Sequence, residues 1–312
     1  MPPPPSGTLD IILVNWNSGD DLRSCVRSLA RSEERALIAQ VIIVDNDSID
    51  GSAGDMHAAG LPLELDRAGN NLGFAAAANR GAARGQAPYL LFLNPDTEVS
   101  SGALGAGLRA LTRPDISDRI GIVGLQLIDQ AGNTSRSCSP LPTPLAFCAR
   151  AFGIDRLPGF AALSPFMRAW PHDRSRIVEQ VMGACFLIPR PLFESLGGFD
   201  ERFFVYYEDV DLALRARQAG WLSWYETGGQ VIHRGGGSSR RIPARRLFYS
   251  LSSRLRFARK HFSRSGQLLV TLATFAVEPW SRLVLALCRS GPSGASAVIG
   301  GYALLCRRRS AL

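Results

Sequence analysis

Acidic and amide side chains follow several short apolar runs of the chain, in places where they could bind a charged ligand. Asn15, Asp45 and Asp96 each come just after such a run, and a Glu208-Asp209 pair opens a helix-like segment farther on. A carboxylate can accept a hydrogen bond from a ring N–H, or it can bind Mg²⁺ through oxygen. A carboxylate can also take a proton from a reacting hydroxyl. The placement of these polar side chains just beyond apolar runs therefore predicts a ligand-binding site.

The elements that must position these side chains follow an α/β pattern. Residues 9–14, 41–44 and 89–93 are apolar runs typical of buried parallel strands. Helical patterns separate them, such as the one that begins at Asp20. Alternating strands and helices predict a mixed, mostly parallel sheet with helices on both faces, a Rossmann-like arrangement. In such sheets the ligand lies beyond the carboxyl ends of the strands, where the polar residues are found.

The second half of the chain is less regular. It contains another predicted strand, two predicted helices and a Pro-, Ser- and Phe-rich stretch that resists assignment. Toward the end the chain becomes apolar again, in pieces that are shorter than the ~20 residues of a transmembrane helix or are interrupted by glycine. The strand is residues 183–188, the helices are 190–196 and 208–219, the unassigned stretch is 137–171, and the apolar pieces are 268–277, 283–288 and 295–306.

Charge divides the sequence into an acidic body and a basic tail. Residues 240–312 hold thirteen arginines and one lysine against a single acid, whereas residues 1–239 have a net charge of −5. A nucleic-acid enzyme should carry its basic surface around the active site, so nucleic acid is excluded as a substrate. We expect a domain at 1–250 and a basic, partly apolar helical region at 251–312. Apolar pieces flanked by arginine suit the surface of an anionic membrane; the alternative is packing on the domain or on a partner in a homodimer.

Cysteine usage and the N-terminus both indicate the cytoplasm. The six cysteines form no CxxC pair, so we expect reduced thiols. Residues 1–7 are a proline-rich lead without the basic and apolar regions of a signal peptide. Together with the basic tail, these features predict a cytoplasmic protein that is peripheral at the inner face of the cell membrane.

Six motifs follow one another along the chain: VDNDSIDGS at 44–52, NLGF at 71–74, LNPDT at 93–97, GGFDERFF at 197–204, YEDVDL at 207–212 and HRGGGS at 233–238. In this order they resemble the inverting glycosyltransferases of family 2, which have the GT-A fold, and among them the rhamnosyltransferase-like members. The resemblance spans about residues 8–250 and implies transfer of L-rhamnose from its thymidine diphosphate donor. The implied acceptor is a lipid-linked glycan or polysaccharide of the bacterial surface, and the implied cofactor is Mg²⁺ or Mn²⁺.

The resemblance implies a nucleotide-binding role for the polar residues of the first half. Asp45 would accept the N3–H of uracil or thymine, although its carboxylate could equally take two donors from guanine. Asp47, Asn15 and Asn71 would contact the nucleoside or ribose. The alternative for all four is the local chemistry of helix caps and Asx-turns.

A metal position is implied at Asp96 and His233. Asn94-Pro-Asp96 departs from the family's Asp-x-Asp at its first position, so Asn94 would contact the sugar or phosphate indirectly. One carboxylate with phosphate oxygens and waters is an ordinary Mg²⁺ arrangement, and Mn²⁺ accepts imidazole more readily. His233 precedes Gly235-Gly-Gly237, which could close over a nucleotide diphosphate.

The base of the reaction is expected at Asp209, with Glu208 as its nearest competitor. Acids in a first helical turn also interact favourably with the helix dipole, which leaves Asp209 usable as a base because that interaction is ~0.3–1 kcal/mol. A retaining hydrolase also needs paired carboxylates, but it does not need the nucleotide pattern around Asp45. Two alternatives stay open: transfer of a hexose or galactofuranose from a uridine diphosphate donor, and a non-catalytic scaffold that binds sugar nucleotides.

Overall fold

The computed structural model describes residues 8–54, 56, 60–113, 118–157, 159, 160, 164, 167, 170–235 and 241–307. Its contacts form two compact units. The first unit comprises Met1–Ser139, Pro171–Glu201 and Glu208–Gly237, and the second comprises Pro140–Trp170, Arg202–Tyr207 and Ser238–Leu312. These contacts do not test whether a domain ends near residue 250, which stays a prediction.

The first unit is built on a nine-stranded mixed sheet in the order β3-β2-β1-β4-β10-β6-β11-β5, with β8 paired to β11. The neighbours β3, β2, β1 and β4 are parallel, while β10 runs antiparallel to β4 and β6. A short pair, β7 with β9, lies outside this sheet. The strands are β1 (Leu9–Asn15), β2 (Ile38–Asp45), β3 (Leu63–Arg67), β4 (Tyr89–Leu93), β5 (Thr97–Val99), β6 (Ile120–Ile128), β7 (Cys138–Ser139), β8 (Arg176–Val178), β9 (Gln180–Val181), β10 (Cys185–Pro189) and β11 (Leu222–His233).

The central strands are buried on both faces because helices cover both sides of the sheet. Ile11, Leu13 and Val41 are fully buried, as expected for near-continuous apolar runs in a parallel sheet. The helix after β3 can approach the sheet closely because it presents a glycine: a Cβ on Gly81 would lie 2.7 Å from the Ile12 side chain. The helices of this unit are α1 (Asp20–Arg31), α2 (Phe74–Ala82), α3 (Ala103–Leu111), α5 (Arg190–Ser195) and α6 (Glu208–Gln218).

The predicted α/β class, the mostly parallel sheet and the C-terminal helical tail are confirmed. The predicted strands and helices of the first unit lie within a few residues of their observed ends. The stretch 137–171, which the sequence left unassigned, contains β7 and a helix, α4 (Pro144–Phe152). That helix has ordinary signals, since Thr143 caps it and Pro144 occupies its first turn.

The second unit is helical. It contains α4, α7 (Pro243–His261), α8 (Arg264–Leu272), a five-residue π-helical turn (Ala273–Val277) and α9 (Glu278–Arg307). The expectation of short, interrupted apolar pieces here is wrong: 264–307 is one helical run, kinked where Gly291 adopts φ 61°. Among the described residues, this run is long and apolar enough to cross a membrane by length and composition, which alone is weak evidence.

Candidate active site

The carboxyl ends of β1 and β2 meet at one edge of the sheet. Asn15 and Asp45 are paired in register, and the Asn46 N–H donates to the Asn15 carbonyl at 2.8 Å. Because β1 also pairs with β4 in parallel, Asn94 follows its strand at the same edge. Asp45 and Asn94 are thus two strands apart, or about 10 Å at ordinary strand spacing. The polar residues predicted to lie together do share this edge.

Asp45 is held in place by its neighbours. Asn15 Nδ2 lies 2.9 Å from Asp45 Oδ1, 3.0 Å from Ser48 Oγ and 2.9 Å from Ser52 Oγ. Asn15 is completely buried and Asp45 is 6% exposed. These contacts give Asn15 the role of orienting the Asp45 carboxylate. A direct contact between Asn15 and a nucleoside stays a prediction.

Asn46 joins this strand end to the loop before α2. Its Oδ1 accepts from the Leu72 N–H at 3.0 Å, and its Nδ2 donates to the Gly73 carbonyl at 2.9 Å. Asn71 Oδ1 accepts from the Gly73 N–H at 3.0 Å, which is an Asx-turn. Asp47 is exposed and left-handed, with φ 66°. The turn chemistry given as the alternative is therefore present at Asn71, and ligand roles for Asn71 and Asp47 stay predictions.

Asp96 and His233 are brought together by strand pairing. His233 ends β11 opposite Thr97 of β5, and the Arg234 N–H donates to the Asp96 carbonyl at 3.0 Å. His233 Nε2 lies 3.3 Å from Asp96 Oδ1. Two adjacent ligands of one octahedral Mg²⁺ are about 3 Å apart, so this pair fits two positions around one divalent ion. Among the described residues no group of three or more His, Cys, Asp and Glu side chains could hold a metal.

Asp209 lies in the first turn of α6, within a set of hydrogen-bond donors. Its Oδ2 accepts from the Gly183 N–H at 2.9 Å and from Gln180 Nε2 at 3.1 Å, and its Oδ1 accepts from the Val210 N–H at 2.8 Å. Burial raises the pKa of Asp209, while the hydrogen bonds from Gly183 and Val210 act in the opposite direction. The donors thus stabilise the ionised carboxylate in one orientation.

Glu208 differs from its neighbour. It is 7% exposed, and its Oε2 has no hydrogen-bond partner among the described residues. Burial, followed by repulsion from Asp209, raises the pKa of Glu208 well above the ordinary 4.5. Burial and the neighbouring carboxylate thus disfavour ionisation of Glu208, whereas hydrogen-bond donors favour the ionised form of Asp209. This contrast favours Asp209 over Glu208 as a general base.

Backbone contacts place the base near the Asp96 loop. The Asn94 N–H donates to the Ala184 carbonyl at 2.9 Å, and the adjacent Gly183 donates to Asp209. The antiparallel β10 makes this connection, since its first residue, Cys185, pairs with Leu93 at the end of β4. The sheet thus brings the ends of β1, β2 and β4 and the start of α6 to one edge.

Sequence reasoning missed three residues that shape this edge. Gln180 and Gly183 hold Asp209, and Asn46 anchors the loop before α2. Gly183 also has a steric role, because a Cβ there would lie 3.1 Å from the Cβ of Asp209. Of these three residues, only Asn46 could have been found from the sequence, because it lies inside the motif at 44–52. The predicted glycine loop continues into Gly236 and Gly237, which lie outside the described residues, as do residues 1–7 and 308–312.

Comparison with known proteins agrees with this geometry. The family described as Glycosyl transferase family 2 matches residues 10–142. The chain is 32% identical over 254 residues to the N-acetylglucosaminyl-diphospho-decaprenol L-rhamnosyltransferase of Mycobacterium tuberculosis, which covers 77% of this chain and 80% of the relative.

Solved structures show the same fold. A mannosyltransferase from Pyrobaculum calidifontis in complex with GDP-Man and Mn²⁺ has a TM-score of 0.55 at 16% identity, covering 99% of this chain and 86% of that one. GalNAc-T7 with UDP, GalNAc and Mn²⁺ has a TM-score of 0.56 at 13% identity, covering 91% of this chain and 58% of that one. From the motifs, the GT-A fold and the identity over most of both sequences, the chain belongs to glycosyltransferase family 2 and is a glycosyltransferase of glycan biosynthesis.

Proposed function

We propose that the protein transfers L-rhamnose from dTDP-L-rhamnose, with inversion, to a lipid-linked glycan in bacterial surface glycan synthesis. One observation carries the catalytic part: the Asp209 carboxylate, fixed by three donors, lies at the same sheet edge as the Asp96–His233 pair. The sugar and the acceptor are proposed from the M. tuberculosis relative, whose name states both.

The nucleoside would bind at the ends of β1 and β2. Asp45 is the predicted nucleoside contact whose carboxylate is held in one orientation. It accepts hydrogen bonds from Asn15 Nδ2 and from the Ser48 N–H. A carboxylate fixed in this way is suited to accept the N3–H of a thymine ring. The loop at 71–73, anchored by Asn46, forms the neighbouring wall. Asp47 and Asn71 are proposed as further contacts to the nucleoside or ribose.

The diphosphate would lie near Asp96. Asp96 and His233 would hold Mg²⁺ or Mn²⁺, because their ligand atoms are spaced as two adjacent ligands of one ion. Bound there, the cation would neutralise charge on the departing diphosphate. Asn94, which has replaced the first carboxylate of the family motif, would act on the sugar or phosphate as a neutral side chain.

The acceptor would be activated by Asp209. In one displacement, the acceptor hydroxyl oxygen bonds to the anomeric carbon, and the bond from that carbon to the diphosphate oxygen breaks. The hydroxyl proton passes to Asp209, and the bonding electrons leave with the diphosphate. Because one bond forms opposite the bond that breaks, the configuration at the anomeric carbon inverts. Burial and the adjacent Asp209 raise the pKa of Glu208, which disfavours a second negative charge beside the base.

The lipid-linked acceptor implies a place of action. Such an acceptor is confined to a membrane, so we propose that the enzyme works at the cytoplasmic face, peripheral to the bilayer. The alternative is that the basic tail packs on a second copy of the chain in a homodimer.

A donor screen tests the proposal. The full chain would be incubated with a lipid-diphosphate-linked N-acetylglucosamine acceptor and, in turn, dTDP-L-rhamnose, UDP-galactofuranose and UDP-glucose, each with Mn²⁺, with Mg²⁺ and with EDTA. We expect a rhamnosylated lipid from dTDP-L-rhamnose, loss of product in EDTA, and recovery on adding either cation. If only a uridine diphosphate donor gave product, the assignment of dTDP-L-rhamnose as the donor would be wrong. Tight nucleotide binding without product from any donor would favour the non-catalytic scaffold.

A further inference from the structure

The helical run 264–307 has one face packed within the second unit and another face that is exposed. Gly266, Val270, Thr274 and Glu278 recur at four-residue intervals and are all buried. The residues between them, three or four apart, are exposed and apolar. We call these the apolar stripe: Leu268, Leu272, Ala276, Trp280, Val284 and Leu287.

The apolar stripe is long and carries no charge. Leu268, Leu272, Trp280, Val284 and Leu287 are 53–69% exposed. From Leu268 to Leu287 a helix rises about 29 Å. Contiguous exposed apolar surface of this extent on a soluble protein ordinarily marks an interaction site. A partner therefore has to cover the stripe.

The two charged residues of 265–288 are both directed away from the stripe. Glu278 is 1% exposed and accepts hydrogen bonds from Arg254 of α7, and Arg282 Nε donates to Glu278 Oε1 at 2.8 Å. The next charges along the chain, Arg264 and Arg289, are exposed and lie just beyond the two ends of the stripe. The arrangement is amphipathic, with arginines at both ends of the apolar face.

We propose that the apolar stripe lies in the headgroup–acyl boundary of an anionic lipid bilayer, parallel to the membrane plane. Charge favours this occupant over a second copy of the chain. Residues 240–312 hold fourteen basic residues and one acid, so two copies repel one another, whereas anionic lipid contributes ~1 kcal/mol for each basic residue near the surface. Trp280, the most exposed member of the stripe, is of the residue type that is enriched at membrane interfaces.

The buried ion pair favours a helix that lies on the membrane over one that crosses it. A crossing helix would place Glu278 and Arg282 at hydrocarbon depth, where each charge costs ~2.5–3.5 kcal/mol or more. In the structure Glu278 pairs with both Arg254 of α7 and Arg282, so the charges neutralise one another within the second unit. The inference rests on the proposed function only in that a lipid-linked acceptor requires the enzyme to reach a membrane.

Vesicle binding by the full-length protein tests the proposal without using the sugar donor. We expect co-sedimentation with phosphatidylcholine vesicles that contain roughly one third phosphatidylglycerol, and weaker binding to phosphatidylcholine alone. Leu272→Glu with Val284→Glu should weaken binding at least tenfold. Ile177→Glu is the matched control, since Ile177 is 43% exposed on β8 of the first unit and should tolerate the same charge without loss of binding. Both variants should keep the wild-type melting temperature.

Three results would overturn the proposal. The first is unchanged binding by the double variant. The second is retention of the protein in bacterial membranes after alkaline carbonate extraction, which would indicate a spanning helix. The third is a dimer in solution that the double variant dissociates, without vesicle binding by the wild type, which would assign the stripe to a second copy. Because no donor enters this assay, its failure is distinct from failure of the proposed sugar transfer.

Discussion

Two buried glutamates, one in each unit, begin their helices in the same way and have pKa values shifted in opposite directions. Glu208 opens α6 in the first unit and is 7% exposed; Glu278 opens α9 in the second and is 1% exposed. Burial raises the pKa of both. At Glu278 the guanidinium groups of Arg254 and Arg282 outweigh burial and hold the pKa below 4.5. At Glu208 burial acts together with Asp209, and the pKa rises well above 4.5.

The difference shows how a structural charge can be told from a functional one. In the second unit the glutamate is neutralised by two arginines, as expected where a charge only has to be accommodated in a packed interior. At the sheet edge Glu208 Oε2 has no hydrogen-bond partner in the part of the chain that the structure describes, and Glu208 lies next to a carboxylate that three donors hold in one orientation. Strongly perturbed carboxyl groups that lack a neutralising partner cluster at functional sites. The comparison therefore supports placing the chemistry at Glu208 and Asp209.

The largest expected effect is on turnover at Asp209. Asp209→Asn keeps the shape of the side chain but removes the base, so we expect transfer to slow by ~10²–10⁴-fold. Binding of the nucleotide diphosphate, measured by calorimetry, should change little. Asp129→Asn is the matched control, because Asp129 is a loop carboxylate hydrogen-bonded to Asn133. Wild-type turnover in Asp209→Asn would refute the assignment of the base.

The next effect is on stability at the ion pair of the second unit. Arg254→Met removes a 3%-exposed arginine from a 1%-exposed carboxylate, and breaking such a pair costs about 3–5 kcal/mol in the free energy of unfolding. Arg282→Met, at a 27%-exposed partner of the same carboxylate, should cost less. Denaturant titration of each full-length variant measures both values. A loss of under about 1 kcal/mol for Arg254→Met would contradict the neutralising role given to Arg254.

Much of the sheet and part of the site could be predicted from sequence, for a physical reason. A short apolar run followed by Asn or Asp is typical of a buried parallel strand with a polar residue at its carboxyl end. This pattern predicts that Asn15, Asp45 and Asn94 lie at one edge of the sheet. Contacts between segments that are far apart in the sequence leave no such pattern in it. Gln180 reaches Asp209 only because of where β9 and α6 pack. The helical run 264–307 was also missed, since it continues on both sides of a kink at Gly291, where the backbone is not helical and Pro292 follows.

A smaller effect should identify Gln180 as a positioning residue for the base. Gln180 is 3% exposed and donates to Asp209 Oδ2, which stabilises the ionised carboxylate. Gln180→Leu should lower kcat about tenfold, as expected for losing a hydrogen bond worth ~1.5 kcal/mol to a charged group. It should also move the acid limb of the kcat/KM profile to higher pH, because the pKa of Asp209 rises when a donor is lost.

Gln126→Leu is the control for this experiment. Gln126 is also buried, but it donates to the His172 carbonyl and does not contact Asp209. Its loss should leave the acid limb in place even if stability falls. If Gln180→Leu lowers kcat with an unchanged pH profile, then Gln180 supports only the local packing.

The smallest expected effect is the change in stability of Glu208→Gln, whose pH dependence should be opposite in sign to that of Glu278→Gln. Folded Glu208 keeps a proton that the unfolded chain releases near pH 4.5, so the wild type loses stability as pH rises above that value. Glu208→Gln removes this titration, so the variant should gain stability relative to the wild type as pH rises from 4 to 8.

Glu278→Gln should act in the reverse sense. The ionised Glu278 stabilises the fold above pH 4.5, and that contribution is lost as pH falls through its lowered pKa. The variant should therefore be less stable than the wild type at pH 8, with a difference that shrinks in acid. Denaturant titrations at pH 4, 6 and 8 measure both curves. The same direction of change with pH in both variants would mean that Glu208 has a cationic partner in solution, and the reason for assigning the base to its neighbour would be lost.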